Sequence, residues 1–128
     1  MKIRFVYSIF PAFIKYTDDM GPDTGGYTKR MFVSIRPRYR DDEGIHAHEL
    51  THVKQWYRNP ICHCSNYSDS RRLRLNYEVE AFVAQILSYP EEERESKIKR
   101  FAYFLANKYD LRILEIDAEN KLRKALDD

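Results

Sequence analysis

Hydrophobic and polar positions alternate in the first third of the chain, which predicts β-strands. Residues 2–10 mix β-branched and aromatic side chains and are typical of one strand, whereas residues 11–16 favour no element. Asp, Gly and Pro fill residues 18–26 and predict a loop. Residues 27–36 alternate again, and Pro37 ends this strand or places it at a sheet edge because proline cannot donate a ladder hydrogen bond. We therefore expect two or three antiparallel strands before the first helix.

The first predicted helix follows acidic residues at positions 41–43, which suit a helix N-terminus, and ends at Asn59-Pro60. Apolar side chains occur around much of its circumference, at Ile45, Leu50, Val53, Trp56 and Tyr57. We expect this helix to be largely buried. Polar side chains on a buried helix need partners, since unpaired polar groups in a protein interior are costly.

Three more segments have helical periodicity. After a predicted loop at residues 61–70, the second helix runs from about Arg71 to Tyr89 with one apolar stripe. Pro90 ends it and opens a third helix with an acidic first turn. A final helix is predicted with Asp117 as its N-cap. Together the elements predict a single α+β domain over residues 1–128.

Composition narrows the classes of partner. The net charge of the 128 residues is +2, so neither nucleic acid nor a membrane is indicated as a partner. No apolar stretch approaches the about 18 residues of a membrane span, and the N-terminus lacks the pattern of a signal peptide. The two cysteines, Cys62 and Cys64, do not form the disulfide framework of a small secreted protein. These features indicate a cytoplasmic protein.

The strongest chemical signal is His-Glu-Leu-Thr-His at residues 48–52. On a helix, His48 and His52 lie one turn apart on the same face and can bind one metal ion. Glu49 lies about 100° around the helix, within reach of a water molecule at that metal. This is the HExxH pattern of zinc metalloproteases, in which the glutamate is the general base. The alternative, two solvated histidines on a surface helix, is disfavoured by the expected burial.

A catalytic zinc ion usually takes three protein ligands. The second helix offers Glu78 and Glu80. At about 100° per residue, Glu78 lies roughly 80° from the centre of the apolar stripe and Glu80 about 120° from it on the other side. Glu78 is therefore the favoured third ligand. Glu80 as the ligand, or a solvated acidic pair that binds nothing, remain the alternatives.

These two motifs resemble those of the gluzincins, zinc peptidases with HExxH and a downstream glutamate. His-Glu-Leu-Thr-His is also found in thermolysin-like peptidases, and residues 78–81 are similar to the Glu-x-x-Ala-Asp motif of membrane-associated heat-shock and prenyl-protein peptidases. Aligning Ala81 with the alanine of that motif places the ligand at Glu78. Phe82 stands where those families have an aspartate that orients a metal-bound histidine. Arg36-Pro37 and residues 53–57 also resemble small uncharacterised metallopeptidase-like proteins of bacteriophages and bacteria.

The resemblance implies a zincin-like α+β domain, with a small antiparallel sheet packed on the motif helix and a second metal-binding helix beside it. It implies one zinc ion per chain on His48, His52 and Glu78, with Glu49 as general base. A peptide or protein substrate would bind along the strand at residues 27–36. Two alternatives remain: a zincin-fold binding or scaffold protein that keeps the metal, and a nucleic-acid-binding module with structural zinc, which the weak net charge disfavours.

Four other features are weaker candidates. Cys62-His63-Cys64 has one residue between its thiols, which makes chelation awkward, so an exposed loop tip is the favoured interpretation. His63 could still reach over the site. His46 lies roughly 200° from His48 on the helix and cannot share its metal. Tyr67 and Tyr77 are possible oxyanion donors.

Overall fold

Four short strands form a sheet in the N-terminal third of the computed structural model, which describes residues 1–128. Their bounds are Lys2–Val6 (β1), Phe10–Tyr16 (β2), Gly26–Lys29 (β3) and Phe32–Ile35 (β4). The strands lie in the order β1-β2-β4-β3, so β1 and β3 are the edges. β2 and β4 are parallel, whereas the other two pairs are antiparallel. The prediction of a purely antiparallel sheet is therefore wrong.

The mixed pairing results from the path of the chain between β2 and β3. Residues 17–25 carry the chain past the position of β4 to the outer edge, and β4 then returns beside β2 in the same direction. The guanidinium group of Arg36 holds this connection. It donates to the backbone oxygens of Gly21 and Thr24 at 2.5 and 2.6 Å, and it pairs with Asp18 at 3.2 Å. Side-chain alternation indicates which face of a strand is buried but not the direction of its neighbour.

Two tight turns divide segments that the sequence pattern presents as single strands. Residues 2–10 form β1, a turn and the first residue of β2, and residues 27–36 contain the β3–β4 hairpin. The backbone φ angle is positive at Tyr7, Ser8 and Arg30. Hairpin turns with this left-handed conformation usually carry Gly, Asn or Asp. Because these residues do not, the sequence contains no turn signal, and both predicted strands were too long.

Five α-helices make up the rest of the molecule and confirm the α+β class. They are Glu43–Arg58 (α1), His63–Asp69 (α2), Arg71–Leu87 (α3), Glu91–Asn107 (α4) and Glu115–Asp127 (α5). The predicted loop at residues 61–70 is wrong, because it contains α2. The final helix begins two residues before Asp117, after Leu114 at the cap position. None of the five helices combines the length and the apolar character that crossing a lipid bilayer requires.

Two hydrophobic clusters determine where α1 lies. One cluster joins the inner face of the sheet to Val53 of α1, and the other joins α3, α4 and α5 around Phe82 and Leu105. One side of α1 therefore packs on the sheet and the other on α3. Full burial of a side chain such as Val53 stabilises the fold by roughly 1.5–3 kcal/mol. Because α1 lies between the two clusters, the polar side chains facing α3 are enclosed.

Candidate metal centre

The two histidines of the HExxH motif lie in the middle of α1. The carboxylate of Asp42 caps this helix, accepting hydrogen bonds from the backbone N–H groups of Gly44 and Ile45 at 2.9 and 3.2 Å. His48 and His52 are 5% and 9% exposed. Their Nε2 atoms lie 3.3 Å apart. The spacing of four residues thus brings two imidazole nitrogens to one point on the α3 side of the helix.

Glu78 reaches the same point from α3. Its side chain is almost completely buried, with Oε1 3.2 Å from Nε2 of His48 and Oε2 3.3 Å from Nε2 of His52. His48, His52 and Glu78 form a buried group that could hold a metal ion, and these three side chains are called the metal group. Glu80 is not part of the group. Its carboxylate pairs with Arg58 at 2.6 Å, at the surface.

The two histidine nitrogens have the spacing expected of donors on a small tetrahedral cation, and the Glu78 carboxylate contacts both of them. Donors held about 2.0–2.1 Å from a zinc ion in tetrahedral geometry lie roughly 3.3 Å from one another. The two histidine nitrogens lie 3.3 Å apart, and each lies 3.2 or 3.3 Å from a different oxygen of the Glu78 carboxylate. Oε1 of Glu78 is also buried without a hydrogen bond, an energetic cost that a bound cation would remove. The residues present therefore fit a divalent metal ion.

In the protein alone, His52 and Glu78 form a buried ion pair. Burial by itself would lower the pKa of His52, but the Glu78 carboxylate in contact with it raises this pKa to about 9. Burial by itself would raise the pKa of Glu78, but the two histidines hold it well below its usual range. A proton on His52 thus balances the charge of Glu78, and a metal ion must displace that proton to bind.

Tyr67 of α2 contacts the metal group through Glu78. Its hydroxyl group donates to Oε2 of Glu78 at 2.6 Å, and burial together with the nearby carboxylates raises the pKa of Tyr67, which keeps the hydroxyl protonated. Arg74 holds the segment by donating to the backbone oxygen of Tyr67 at 2.8 Å. Of the two tyrosines considered as oxyanion donors, Tyr67 thus donates its hydroxyl hydrogen to Glu78. The other, Tyr77, packs on His63 with ring centroids 4.8 Å apart and does not line the cavity that contains Glu49.

Gln55 orients His52, a role that the sequence analysis missed. Its Oε1 atom lies 2.9 Å from Nδ1 of His52, and its Nε2 donates to the backbone oxygen of Tyr77 at 2.9 Å and to Oε1 of Glu80 at 2.8 Å. Because both amide hydrogens have acceptors, the amide oxygen faces the imidazole ring. Nδ1 of His52 then carries the proton and Nε2 is the nitrogen able to bind a metal. This contact could have been predicted from the sequence, because residues three positions apart on a helix, such as His52 and Gln55, are neighbours.

Glu49 lies beside the metal group, where β3 approaches α1. Oγ1 of Thr28 lies 2.9 Å from Oε1 and 3.1 Å from the backbone oxygen of Glu49, and it donates a hydrogen bond to one of them. Gly26 permits this approach, since a Cβ atom there would lie 3.0 Å from the backbone oxygen of Ser34 and 3.4 Å from Cγ of Glu49. The sequence did not predict the contact of Thr28 with Glu49, because only the fold brings β3 to this helix.

One cavity of about 1190 Å³ connects these groups. Its walls come from β3, α1, α2, α3 and α4, and Glu49 lies on its surface together with His48, His52 and Glu78. Small-molecule pockets usually measure about 300–1,000 Å³, so this cavity has room for several residues of a peptide. Tyr109 also lines it, and burial raises the pKa of its hydroxyl group. Nothing in the local sequence distinguishes Tyr109 from the other nine tyrosines.

The remaining candidates do not join the metal group. His63 lines the cavity, and its Nε2 is buried without a hydrogen bond. Cys62 and Cys64 are exposed free thiols, and the structure contains no second cluster with metal-binding geometry. His46 lies on the sheet side of α1, where its Nε2 is 2.9 Å from the hydroxyl group of Tyr16.

Comparison with known proteins gives no relative for this arrangement: the sequence matches no protein-family model, no curated protein and no solved structure. The function is therefore inferred from the candidate metal centre and its cavity.

Proposed function

We propose that this protein is a zinc-dependent metallopeptidase that hydrolyses peptide bonds. The observation that carries the proposal is the position of Glu49, a carboxylate outside the ligand group that shares one cavity with His48, His52 and Glu78. Two histidines and one glutamate are a ligand set of catalytic zinc sites, which keep a fourth position open. A structural zinc site would use four protein ligands and would need no adjacent base.

The chemistry of the site depends on Glu49. Zinc would supply a Lewis acid that polarises the scissile carbonyl group and makes a water molecule more acidic. Glu49 accepts the proton of the attacking water and delivers it to the nitrogen of the leaving amine as the C–N bond breaks. The hydroxyl group of Thr28, 2.9 Å from Oε1, restrains one carboxylate oxygen and leaves the other for proton transfer.

The sheet supports a peptide as the substrate. β3 pairs only with β4, so its outer edge is unpaired, and residues 25–30 line the cavity. An extended peptide can add to such an edge through backbone hydrogen bonds. This position narrows the binding strand predicted at residues 27–36 to β3, because β4 is inside the sheet. A metal-binding helix beneath a sheet edge is also the arrangement expected of a zincin-like domain.

A binding protein that keeps the metal without hydrolysis is the second candidate. It is favoured by His48, whose Nδ1 atom is buried without a hydrogen bond and whose ring packs on Phe82. A metal-bound histidine in a catalytic site almost always donates this second N–H to an acceptor. The binding protein and the peptidase would both hold one zinc ion, and only the peptidase would cleave peptides.

The test combines metal content with cleavage. Protein purified without added metal or chelator should contain about one equivalent of zinc by elemental analysis, as expected for a three-ligand site. It should also cleave a peptide library, lose this activity after chelation and regain it when zinc is restored. A protein that stays metal-free in micromolar zinc would contradict the proposal. A zinc-loaded protein that cleaves nothing across the library would favour the binding protein.

A further inference from the structure

The cavity that contains the metal centre has cationic walls. Six basic side chains line it, at Lys29, Arg30, Arg38, Lys97, Arg100 and Lys108. None of the six forms a salt bridge with a carboxylate of the chain. Their charges are therefore available to a ligand in the cavity.

Aromatic rings hold three of these cations on the wall formed by α4 and its C-cap residue, Lys108. Nζ of Lys97 lies 4.6 Å from the ring centre of Tyr89, and Nζ of Lys108 lies 4.1 Å from that of Phe104. The guanidinium carbon of Arg100 lies 5.4 Å from the same Phe104 ring centre. A cation over an aromatic face is attracted by the ring but keeps hydrogen-bond donors free. Nζ of Lys108 also donates to the backbone oxygen of Asp23 at 3.3 Å, so Lys97 and Arg100 present the freest donors to the cavity.

The acidic side chains of the cavity do not neutralise these walls. Four carboxylates line it, of which Glu78 belongs to the candidate ligand group and Glu49 is the proposed general base beside that group. A third, Asp42, caps α1 and accepts a hydrogen bond from Tyr89. Only Asp23 remains. Since the net charge of the whole chain is only +2, positive charge is concentrated in this cavity, where low-dielectric walls strengthen its field.

We infer that the substrate is an acidic peptide segment, with Asp or Glu side chains on both sides of the bond at the metal centre. This inference rests on the proposed peptidase function. Along β3, Lys29 and the neighbouring Arg30 would meet acidic side chains from one side, and the α4 cations would meet them from the other. A nucleic acid is disfavoured, because on the α4 wall the rings of Tyr89 and Phe104, which could stack on bases, already carry Lys97, Arg100 and Lys108.

Binding to a zinc-loaded Glu49→Gln variant tests the inference without cleavage. Three fluorescent peptides of equal length would be compared by anisotropy, with Glu and Asp, with Gln and Asn, or with Lys in the flanking positions. We expect the acidic peptide to bind about tenfold more tightly than the amide peptide, as several modest ion pairs together would produce. The preference should shrink when the salt concentration rises to about 1 M, where charges are screened beyond roughly 3 Å.

Charge reversal shows whether the cavity causes the preference. In the same background, Lys97→Glu/Arg100→Glu should abolish the preference for the acidic peptide. The control, Lys121→Glu/Lys124→Glu on α5, makes the same change in net charge outside this cavity and should retain it. All four side chains lie on helix surfaces, and circular dichroism confirms that both variants remain folded.

The outcomes separate the inference from the proposed function. Equal or undetectable binding of the three peptides, or a preference that the control also loses, overturns the inference. So does a single-stranded oligonucleotide that displaces the acidic peptide at a lower concentration than unlabelled acidic peptide does. If the acidic preference holds while zinc-loaded wild type cleaves none of the peptides, only the peptidase proposal fails. If wild type cleaves the amide and basic peptides as fast as the acidic one, only the inference fails.

Discussion

The ring of Phe82 packs edge-on against the imidazole of His48, with ring centroids 4.5 Å apart and planes inclined by 67°. Nδ1 of His48 consequently has no hydrogen-bond partner. His52 differs, because the amide oxygen of Gln55 lies 2.9 Å from its Nδ1 atom. In the peptidases that the motifs resemble, an aspartate at the position of Phe82 orients a histidine. Here packing orients one histidine and an amide orients the other.

This difference predicts unequal effects of two substitutions on metal binding. Gln55→Ala removes the acceptor that orients His52 and should weaken zinc affinity by about 10–100-fold, as is typical when such partners of metal ligands are lost. Phe82→Leu keeps an apolar contact with His48. It should lower the free energy of unfolding by roughly 1–2 kcal/mol while changing zinc affinity less. Competition with a chromophoric chelator measures the affinities, and unchanged affinity in Gln55→Ala would refute the role of the amide.

The position of Glu78 predicts a clear ranking of the two glutamates on α3. Glu78→Gln removes a charged ligand. The loss of zinc affinity should be at least about 10–100-fold, which is typical when a residue that only hydrogen-bonds to a metal ligand is removed. Glu80→Gln keeps an oxygen that can accept from Gln55, so the affinity should change little. Zinc titration of both variants provides the comparison. A larger loss in Glu80→Gln would mean that Glu78 is not a ligand.

Glu49 is predicted to act in catalysis and not in metal binding. Glu49→Gln should keep the zinc content and the melting temperature of the wild type, because the amide is nearly isosteric and can still accept from Thr28. Peptide cleavage should fall by about 10²–10⁴-fold, the usual contribution of a general base. Thr28→Val removes only the hydrogen bond and should cost about 2–10-fold. If Glu49→Gln cleaved peptides as fast as wild type, the proposed mechanism would be wrong.

The ion pair between His52 and Glu78 predicts how zinc binding depends on pH. Since contact with Glu78 raises the pKa of His52 from 6.5 to about 9, this pair stabilises the metal-free protein fully below pH 6.5, and the stabilisation is lost as the pH rises through about 9. Zinc must displace the proton, so its affinity should rise by about tenfold per pH unit between pH 6.5 and 7.5. The increase in melting temperature on adding zinc should therefore be larger at pH 7.5.

A matched variant identifies the source of this pH dependence. In Glu78→Gln the carboxylate that raises the pKa of His52 is absent, so the pH dependence of zinc affinity above pH 6.5 should become shallower. The same slope in both proteins would show that a different group releases the proton.

Local patterns were sufficient for the helices and for part of the metal centre. Helix caps, breaks and apolar stripes depend on residues within a few positions of each other, which is why α1 and α3 lie close to their predicted bounds and α4 begins where Pro90 predicts. The spacing of His48 and His52 and the phase of Glu78 on the apolar stripe indicated three side chains that the fold brings together. The short polar helix α2 has no apolar stripe, and the sequence did not indicate it.

By itself, then, the sequence determined the long helical segments α1, α3 and α4 and which two histidines share a face, because these follow from short-range geometry. Only the tertiary structure decided the parallel pairing of β2 with β4, the contact of Thr28 with Glu49 and the cationic walls of the cavity. These features join residues that lie far apart in the chain. They depend on the crossing of the chain between β2 and β3 and on the packing of α1 between two hydrophobic clusters, neither of which any short-range pattern records.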